Sequence, residues 1–317
     1  MNTRIPRLEA EELLYRVPLL TLGRPAFDRK RAHHGDQVAY AASAREVLYV
    51  TGSTTPGPAN PLWKRIEKPE LRALHLVGAG WHRWGWGPFT AFLRAVRAAR
   101  HDVWVTALTP VDVAAFGRAR HMSCRKVLAT LHGAGLDELD DAGMPPPLMA
   151  KPAPHEDPAG LAPAAWQAVQ AQAHEAGLAT RAVLHYGGPE TGTMLLDQLF
   201  ALRDLEDQAP GCHSVTLRPA AARLAPAWTL RVTAVTRLLL DNIARVQTPW
   251  PHHHMTGETA MACLAFGADT LDTTAAKVTE AHRGLPRMIR QAGQTPAESG
   301  QTLFLTTRPA SAHAAAG

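Results

Sequence analysis

EVLYVTGSTTPGPANPL, residues 46–62, opens as a strand and breaks into a loop. Val47, Leu48, Tyr49 and Val50 run without a polar interruption and stop against Thr, Gly, Ser and Pro. A short apolar run bounded by turn residues suits a strand buried on both faces of a parallel sheet. In a barrel of alternating strands and helices, the loop after such a strand lies on the face where chemistry is done. Between Thr51 and Pro61 that loop contains no Cys, His, carboxylate or basic residue. What the loop lacks is as informative as what it holds.

Working outward, residues 8–20 read as an amphipathic helix stopped by Pro18, followed by a second short helix, a turn at Gly35-Asp36 and an extended run to Tyr40. Downstream, strand-like runs at 73–77, 102–108, 135–137, 180–184, 214–217, 244–248 and 270–272 alternate with helical patterns. About eight strand–helix units over roughly 250 residues argue for one α/β chain folded as a single (β/α)8 TIM-type barrel. A doubly wound open sheet is the runner-up, but no Gly-rich dinucleotide fingerprint supports it. The expected organisation is a helical extension over residues 1–45, the barrel over 46–295 and a flexible tail over 296–317.

Hydrophobic residues make up 46% and charged residues 19% of the 317, a balance that fills an ordinary globular core. The net charge of +5 rests on an Arg-rich, Lys-poor composition. It is spread along the chain without the clusters of a nucleic-acid binder, so no nucleic acid is expected as partner. No apolar run is long enough to cross a membrane and the first residues lack an apolar signal core, so a cytoplasmic location is expected. The three cysteines, Cys124, Cys212 and Cys263, are far apart and show neither a C-x-x-C pair nor a disulfide framework.

Six segments in order carry a family likeness: HGDQVAY (34–40), LHLVGAGWH (74–82), the stretch 105–139, the stretch 165–191, LLLDNIARVQTPW (238–250) and ACLAFGADTLDTT (262–274). Together they resemble the aminofutalosine synthases, radical S-adenosylmethionine (SAM) enzymes of menaquinone biosynthesis by the futalosine route. The related cyclic dehypoxanthine futalosine synthases are a weaker match. The resemblance implies a radical SAM-like barrel and a CxxxCxxC motif after the first strand. Three thiolates there would hold a [4Fe–4S] cluster whose fourth iron binds SAM. In this sequence the corresponding loop is the bare stretch after Val50. The resemblance therefore implies a family member without the cluster, and with SAM chemistry not expected.

Other positions depart from the family too. Its VGGLHP after the second strand becomes Val77-Gly78-Ala79-Gly80-Trp81-His82, with Trp84 and Trp86 close behind. Its YGHxET becomes Tyr186-Gly187-Gly188-Pro189-Glu190-Thr191, with Gly at the His position. Gly78, His82, Tyr186, Glu190 and Thr191 are the candidate substrate-binding positions, and Arg218 is placed to meet a carboxylate with two donors. His252, His253 and His254 follow the seventh strand and are candidate metal ligands, with His82 and His185 ending other strands. Adjacent residues diverge in direction, so at most two of the three would meet one ion. No metal site is assigned.

The reading is a cluster-less relative of aminofutalosine synthase: a non-catalytic subunit or scaffold that pairs with a cluster-bearing homologue, or binds a small pathway intermediate. A homodimer is the alternative assembly. Two alternatives stand beside it, an active synthase-type transferase and a barrel enzyme with metal chemistry at His252–His254. Whether the chain is an enzyme stays open at this stage.

Overall fold

Each short β-branched or aromatic run is followed by a helix that carries the chain back, so successive strands lie parallel. The protein, described as a computed structural model, is defined over residues 4–40, 45–49, 57, 60–78, 85–140, 161–220, 224–250, 254–272 and 280–298. Strands β2 (Arg45–Tyr49), β3 (Ala73–Val77), β4 (Trp104–Ala107), β5 (Glu138–Leu139), β6 (Ala179–Tyr186), β7 (Cys212–Pro219), β8 (Arg245–Pro249) and β9 (Thr270–Asp272) pair in chain order. Strand β1 (Gln37–Tyr40) lies beyond β9, and β10 (Thr295–Glu298) beyond β1.

Order without reversal is the signature of a barrel rather than a doubly wound sheet, whose strand order turns back at a switch point. The α/β barrel class expected from the sequence is therefore the observed one. It is a partial barrel: among the described residues no ladder joins β2 to the β1–β10 edge. Two short strands lie at or beyond the bounds expected for the barrel, one of them in the run read as extended up to Tyr40. β1 comes from the segment read as a helical extension, and β10 extends past residue 295. The run TPAE carries no apolar pattern of its own, so only its register with β1 reveals it.

The helices are α1 (Arg7–Tyr15), α2 (Leu19–His34), α3 (Trp63–Ile66), α4 (Trp86–Ala99), α5 (Pro110–Arg120), α6 (Cys124–Gly133), α7 (Pro163–Glu175), α8 (Gly192–Gln208), α9 (Pro226–Leu239), α10 (Gly257–Cys263) and α11 (Glu280–Gln291). α4 shows why such runs fold as they do. Phe89, Phe92, Leu93 and Val96 recur at helical spacing and are buried, each worth roughly 1.5–3 kcal/mol. α5 starts on a capping box: the Thr109 hydroxyl accepts the Asp112 N–H, and the Asp112 carboxylate accepts the Thr109 N–H. α2 runs for sixteen residues through Pro25, longer than the short helix expected. Leu22, Ala26 and Lys30 fall on one buried face of α2, which packs against α9 and the 3-10 turn Leu264–Phe266. Among the described residues no helix is long and apolar enough to cross a membrane.

Apolar residues on the helix side of the sheet form three buried clusters. One lies under β2–β5, one under β6–β8 with α1, α8 and α9, and one around β1, β9, α10 and α11. Gly267, just past the 3-10 turn, holds φ at +100°, and a Cβ there would lie 2.8 Å from Arg237 Cβ. Gly267→Ala should therefore lower stability by roughly 1–3 kcal/mol through backbone strain and overlap, measured as a fall in the urea midpoint with unchanged slope.

Candidate functional site

The helix side of the sheet is apolar; the other side, the barrel lumen, is not. Side chains alternate along a strand, and in β6 Ala182, Leu184 and Tyr186 join the helix-side core. That leaves Arg181, Val183 and His185 facing the lumen. By the same alternation Val215 and Leu217 pack outward in β7, and Ser214, Thr216 and Arg218 face inward. Thr216 donates to Gln247 Oε1 of β8 at 3.0 Å, across the inner face.

The lower lumen is closed by a buried ion-pair network centred on Glu138, whose side chain is 1% exposed. Glu138 Oε2 accepts from Trp104 Nε1 at 2.7 Å and from the Thr106 hydroxyl at 3.0 Å. Its Oε1 lies 3.2 Å from His213 Nε2 and 3.4 Å from Arg181 Nε. A bulge in the β6–β7 register, where Thr180 pairs with Cys212 but Arg181 with Ser214, leaves His213 over as the extra residue. This is how a bulge re-aims a side chain, here towards Glu138. Burial alone would push the Glu138 carboxyl up. The charges of Arg181 and His213 and the hydrogen bonds from His213 and Trp104 bring it down to about 2.

A second carboxylate continues the network upward. Asp140 Oδ1 accepts from Arg181 at 2.8 Å, and its Oδ2 lies 2.7 Å from His75 Nε2 of β3. The backbone at the ends of β4 and β5 sets its place. Leu108, with φ of 62°, turns its carbonyl to accept the Asp140 N–H at 2.9 Å. Positive φ in a bulky residue is unusual, and such strain gathers at strand ends that carry function. Arg181 thus bridges two carboxylates, and Asp140 links it to the His75 imidazole.

Nearer the carboxyl ends of the strands, His75, Val77, Gly78, Asp140, His185 and Arg218 are partly accessible, whereas Thr106, Glu138, Thr216 and Thr270 are buried. Among the described residues the lumen is therefore a cup, buried below and partly accessible towards the carboxyl ends of the strands. His185 and Arg218 are register partners on neighbouring strands of its rim. Burial, and then the Arg218 charge, push His185 down to about 4, so its ring is neutral at neutral pH.

The residues singled out from sequence are not all brought to this cup. Arg218 and Gly78 are at its rim. Tyr186 is on the helix side, 2% exposed, with its hydroxyl 3.2 Å from Thr229 Oγ1, which accepts from it. Burial pushes this phenol well above its usual range. Thr191 closes the 3-10 turn Pro189–Thr191 by donating to the Gly188 carbonyl at 2.8 Å. Glu190 occupies the middle of that turn. His82, His252 and His253 lie outside the described residues, and His254 sits in a turn before α10. Among the described residues no group of three or more His, Cys, Asp or Glu is arranged to hold a metal ion.

The cysteines do not fit a [4Fe–4S] cluster. Cys124 packs against the cluster under β2–β5, Cys212 belongs to the one under β6–β8, and Cys263 to the one around β9. Burial pushes the Cys263 thiol up to about 11, the opposite of what a thiolate ligand needs. Thiols in three separate cores cannot converge on one cluster.

Sequence reasoning passed over Glu138, Asp140, Arg181, His75 and His213. The signal that marks them is period-two placement of charged or imidazole side chains in short strands, as in Glu138 and Asp140, or Arg181 and His185. In a strand buried on both faces such residues must find partners inside the barrel.

No protein-family model matches the chain. Among curated proteins it is 30% identical over 264 residues to the aminodeoxyfutalosine synthase of Thermus thermophilus, across 74% of this chain and 69% of that one. It is 24% identical to the cyclic dehypoxanthine futalosine synthase of Streptomyces coelicolor, across 94% of this chain and 85% of that one. Among solved structures it superposes on methylornithine synthase with a TM-score of 0.63, at 10% identity, covering 94% of this chain and 95% of the other. A maturase of the [FeFe]-hydrogenase, HydG, gives 0.62 at 12% identity, covering 91% and 71%. At those identities the likeness is one of fold.

Proposed function

The chain belongs to the aminodeoxyfutalosine synthase family, and on that premise we propose that it serves the futalosine route to menaquinone without radical SAM chemistry of its own. It acts as a non-catalytic subunit or scaffold, holding a pathway intermediate in its barrel and pairing with a cluster-bearing homologue. The observation that carries this reading is the dispersal of Cys124, Cys212 and Cys263 among three cores, together with a loop at 51–61 that holds no cysteine. The polar cup supports the binding half of the reading: a chain that had lost all use for its lumen would have no call on a solvated rim carrying Arg218 and His185.

The test is purification from the native host without oxygen, followed by native mass spectrometry and iron and sulfide determination. The expected result is a species without a cluster increment, associated with a heavier cluster-bearing homologue. A lone chain carrying four irons and four sulfides sinks the proposal and restores the transferase.

A further inference from the structure

We propose that α1 is a strap that holds the turn between β6 and α8 in place, and that its release loosens the rim of the barrel cup at His185. The turn, Gly187 to Thr191, follows β6 directly at the carboxyl end of the sheet. His185 lies two residues before it. The inference stands apart from the proposed pairing with a homologue, because it concerns contacts within this chain alone.

The turn is fastened from outside the barrel. The hydroxyl of the half-exposed Tyr15, the last residue of α1, donates to the Pro189 carbonyl at 3.2 Å. The same carbonyl accepts the Gly192 N–H that opens α8. The Tyr15 ring stacks on Trp228 of α9, with centroids 6.3 Å apart and planes at 28°. Trp228 Nε1 in turn donates to the Gly187 carbonyl at 2.8 Å. One aromatic pair therefore holds two carbonyls of the turn. The approach is close: a Cβ at Gly192 would overlap the Tyr15 hydroxyl and lie 2.9 Å from Leu14 Cδ2. Gly192 has helical φ and ψ of −61° and −35°, so its backbone does not call for glycine. The missing side chain is what lets α1 reach the turn.

The two ends of α1 are held unequally. Just ahead of the helix, Arg4 donates to Asp207 and to Asp241, each at 2.9 Å, and Arg7 donates to Asp197 at 2.6 Å. These pairs are partly exposed, and such pairs hold weakly. Further along, Ala10 and Leu14 are buried. Arg231 of α9 donates to the Leu13 and Val17 carbonyls at 2.8 and 2.7 Å. Bonds from a cation to the last carbonyls of a helix are the stronger kind. Fraying thus starts at residue 4 and meets its resistance at Arg231 and Tyr15, the contacts nearest the turn. An element so held opens in part while the rest of the structure stays folded.

The experiment is hydrogen exchange with mass spectrometry on the whole chain, together with carbethoxylation of His185 by diethylpyrocarbonate at neutral pH. Wild type is compared with Tyr15→Phe, Gly192→Ala, Arg231→Met and the control Arg24→Gln, whose ion pair with Asp28 is exposed. Tyr15→Phe should speed exchange in the peptide spanning 187–193 about threefold, as loss of one modest hydrogen bond does. Arg231→Met should speed it about tenfold, since its bonds are charge-assisted. Gly192→Ala should speed it as well, although alanine is the better helix former; a glycine that served the helix alone would give slower exchange on substitution. His185 should react faster in the same three variants, with peptides from β3 and β4, and the control, unchanged. Should Arg231→Met fail to fold, the other two variants carry the readout. Unchanged exchange at 187–193 in Tyr15→Phe and Gly192→Ala, a rise spread equally over β3 and β4, or a rise that leaves His185 reactivity at the wild-type level overturns the strap.

Discussion

Glu138→Gln is expected to destabilise the folded protein by roughly 3–5 kcal/mol, the usual cost of removing one partner from a buried pair. That is a large part of a typical margin of about 5–15 kcal/mol. The substitution keeps the shape but removes the Glu138 charge beside Arg181 and His213 at the lumen floor, and turns an acceptor of the Trp104 and Thr106 hydrogens into an amide. Urea unfolding reads the effect directly. The double variant Glu138→Gln/Arg181→Met should recover part of the loss, because the two residues share one network and their effects do not add. A loss below about 1 kcal/mol would mean the floor is solvated, since exposed pairs are worth no more than that.

The same carboxylate sets an acid limit. Its folded pKa, about 2, lies below the ordinary 4.5, so its contribution is complete above pH 4.5 and fades as pH falls from 4.5 towards 2. His185 is shifted the same way but is a base. With a folded value near 4 against 6.5 unfolded, the folded state disfavours its charged form, and stability is lost as pH falls from 6.5 to 4. Stability should thus begin to decline below pH 6.5 and drop more steeply below 4.5. His33, His34 and His174 are also held below the usual imidazole range by burial, so His185→Gln should reduce the first phase and leave the second.

Asp269→Asn is the other large effect, again roughly 3–5 kcal/mol. Asp269 is fully buried between two guanidiniums. Arg237 donates to Oδ2, Arg245 approaches Oδ1 at 3.4 Å, the Thr270 hydroxyl donates to Oδ1 at 2.7 Å, and the Val246 N–H donates to Oδ2 at 3.0 Å. Its backbone carbonyl also accepts the Ala39 N–H of β1 at 2.8 Å. One residue therefore fastens α9, β8, β9 and β1. Burial opposes the charged form, but Arg237 and then Arg245 hold the carboxyl below its usual range. Neutralising it would strand Arg237, which is itself wholly buried. Hydrogen exchange should show the loss spreading from β9 into β1 while β3 and β4 stay protected.

The barrel was legible in the sequence because each of its strands is a short apolar run between turn residues, and that pattern survives without any tertiary information. β1 and β10 were harder. Gln37–Tyr40 follows two helices and Thr295–Glu298 is polar, so only pairing across the chain identifies them. The site divides along the same line. The missing cysteine motif and Arg218 could be read from positions after strands. Tyr186 could not be assigned to a face, because a strand buried on both sides gives no polar alternation to orient it; its side chain packs outward against Thr229. The Glu138 floor was hidden because its members come from β3, β4, β5, β6 and β7, and one of them is aimed by a bulge.

The pairing of β1 with β10 bears on how the chain reaches this state. Residues 37–40 leave the ribosome more than two hundred residues before their partners at 270–271 and 295–298 are made. Strands β2 to β9 can add to one another in order as they emerge, each closing a modest loop. The β1 edge belongs instead to contacts of the highest sequence separation, which are slow to form. Until synthesis passes residue 298, the first strand waits beside an unfinished sheet with its hydrogen-bonding edge open, the condition in which a nascent chain most needs a chaperone.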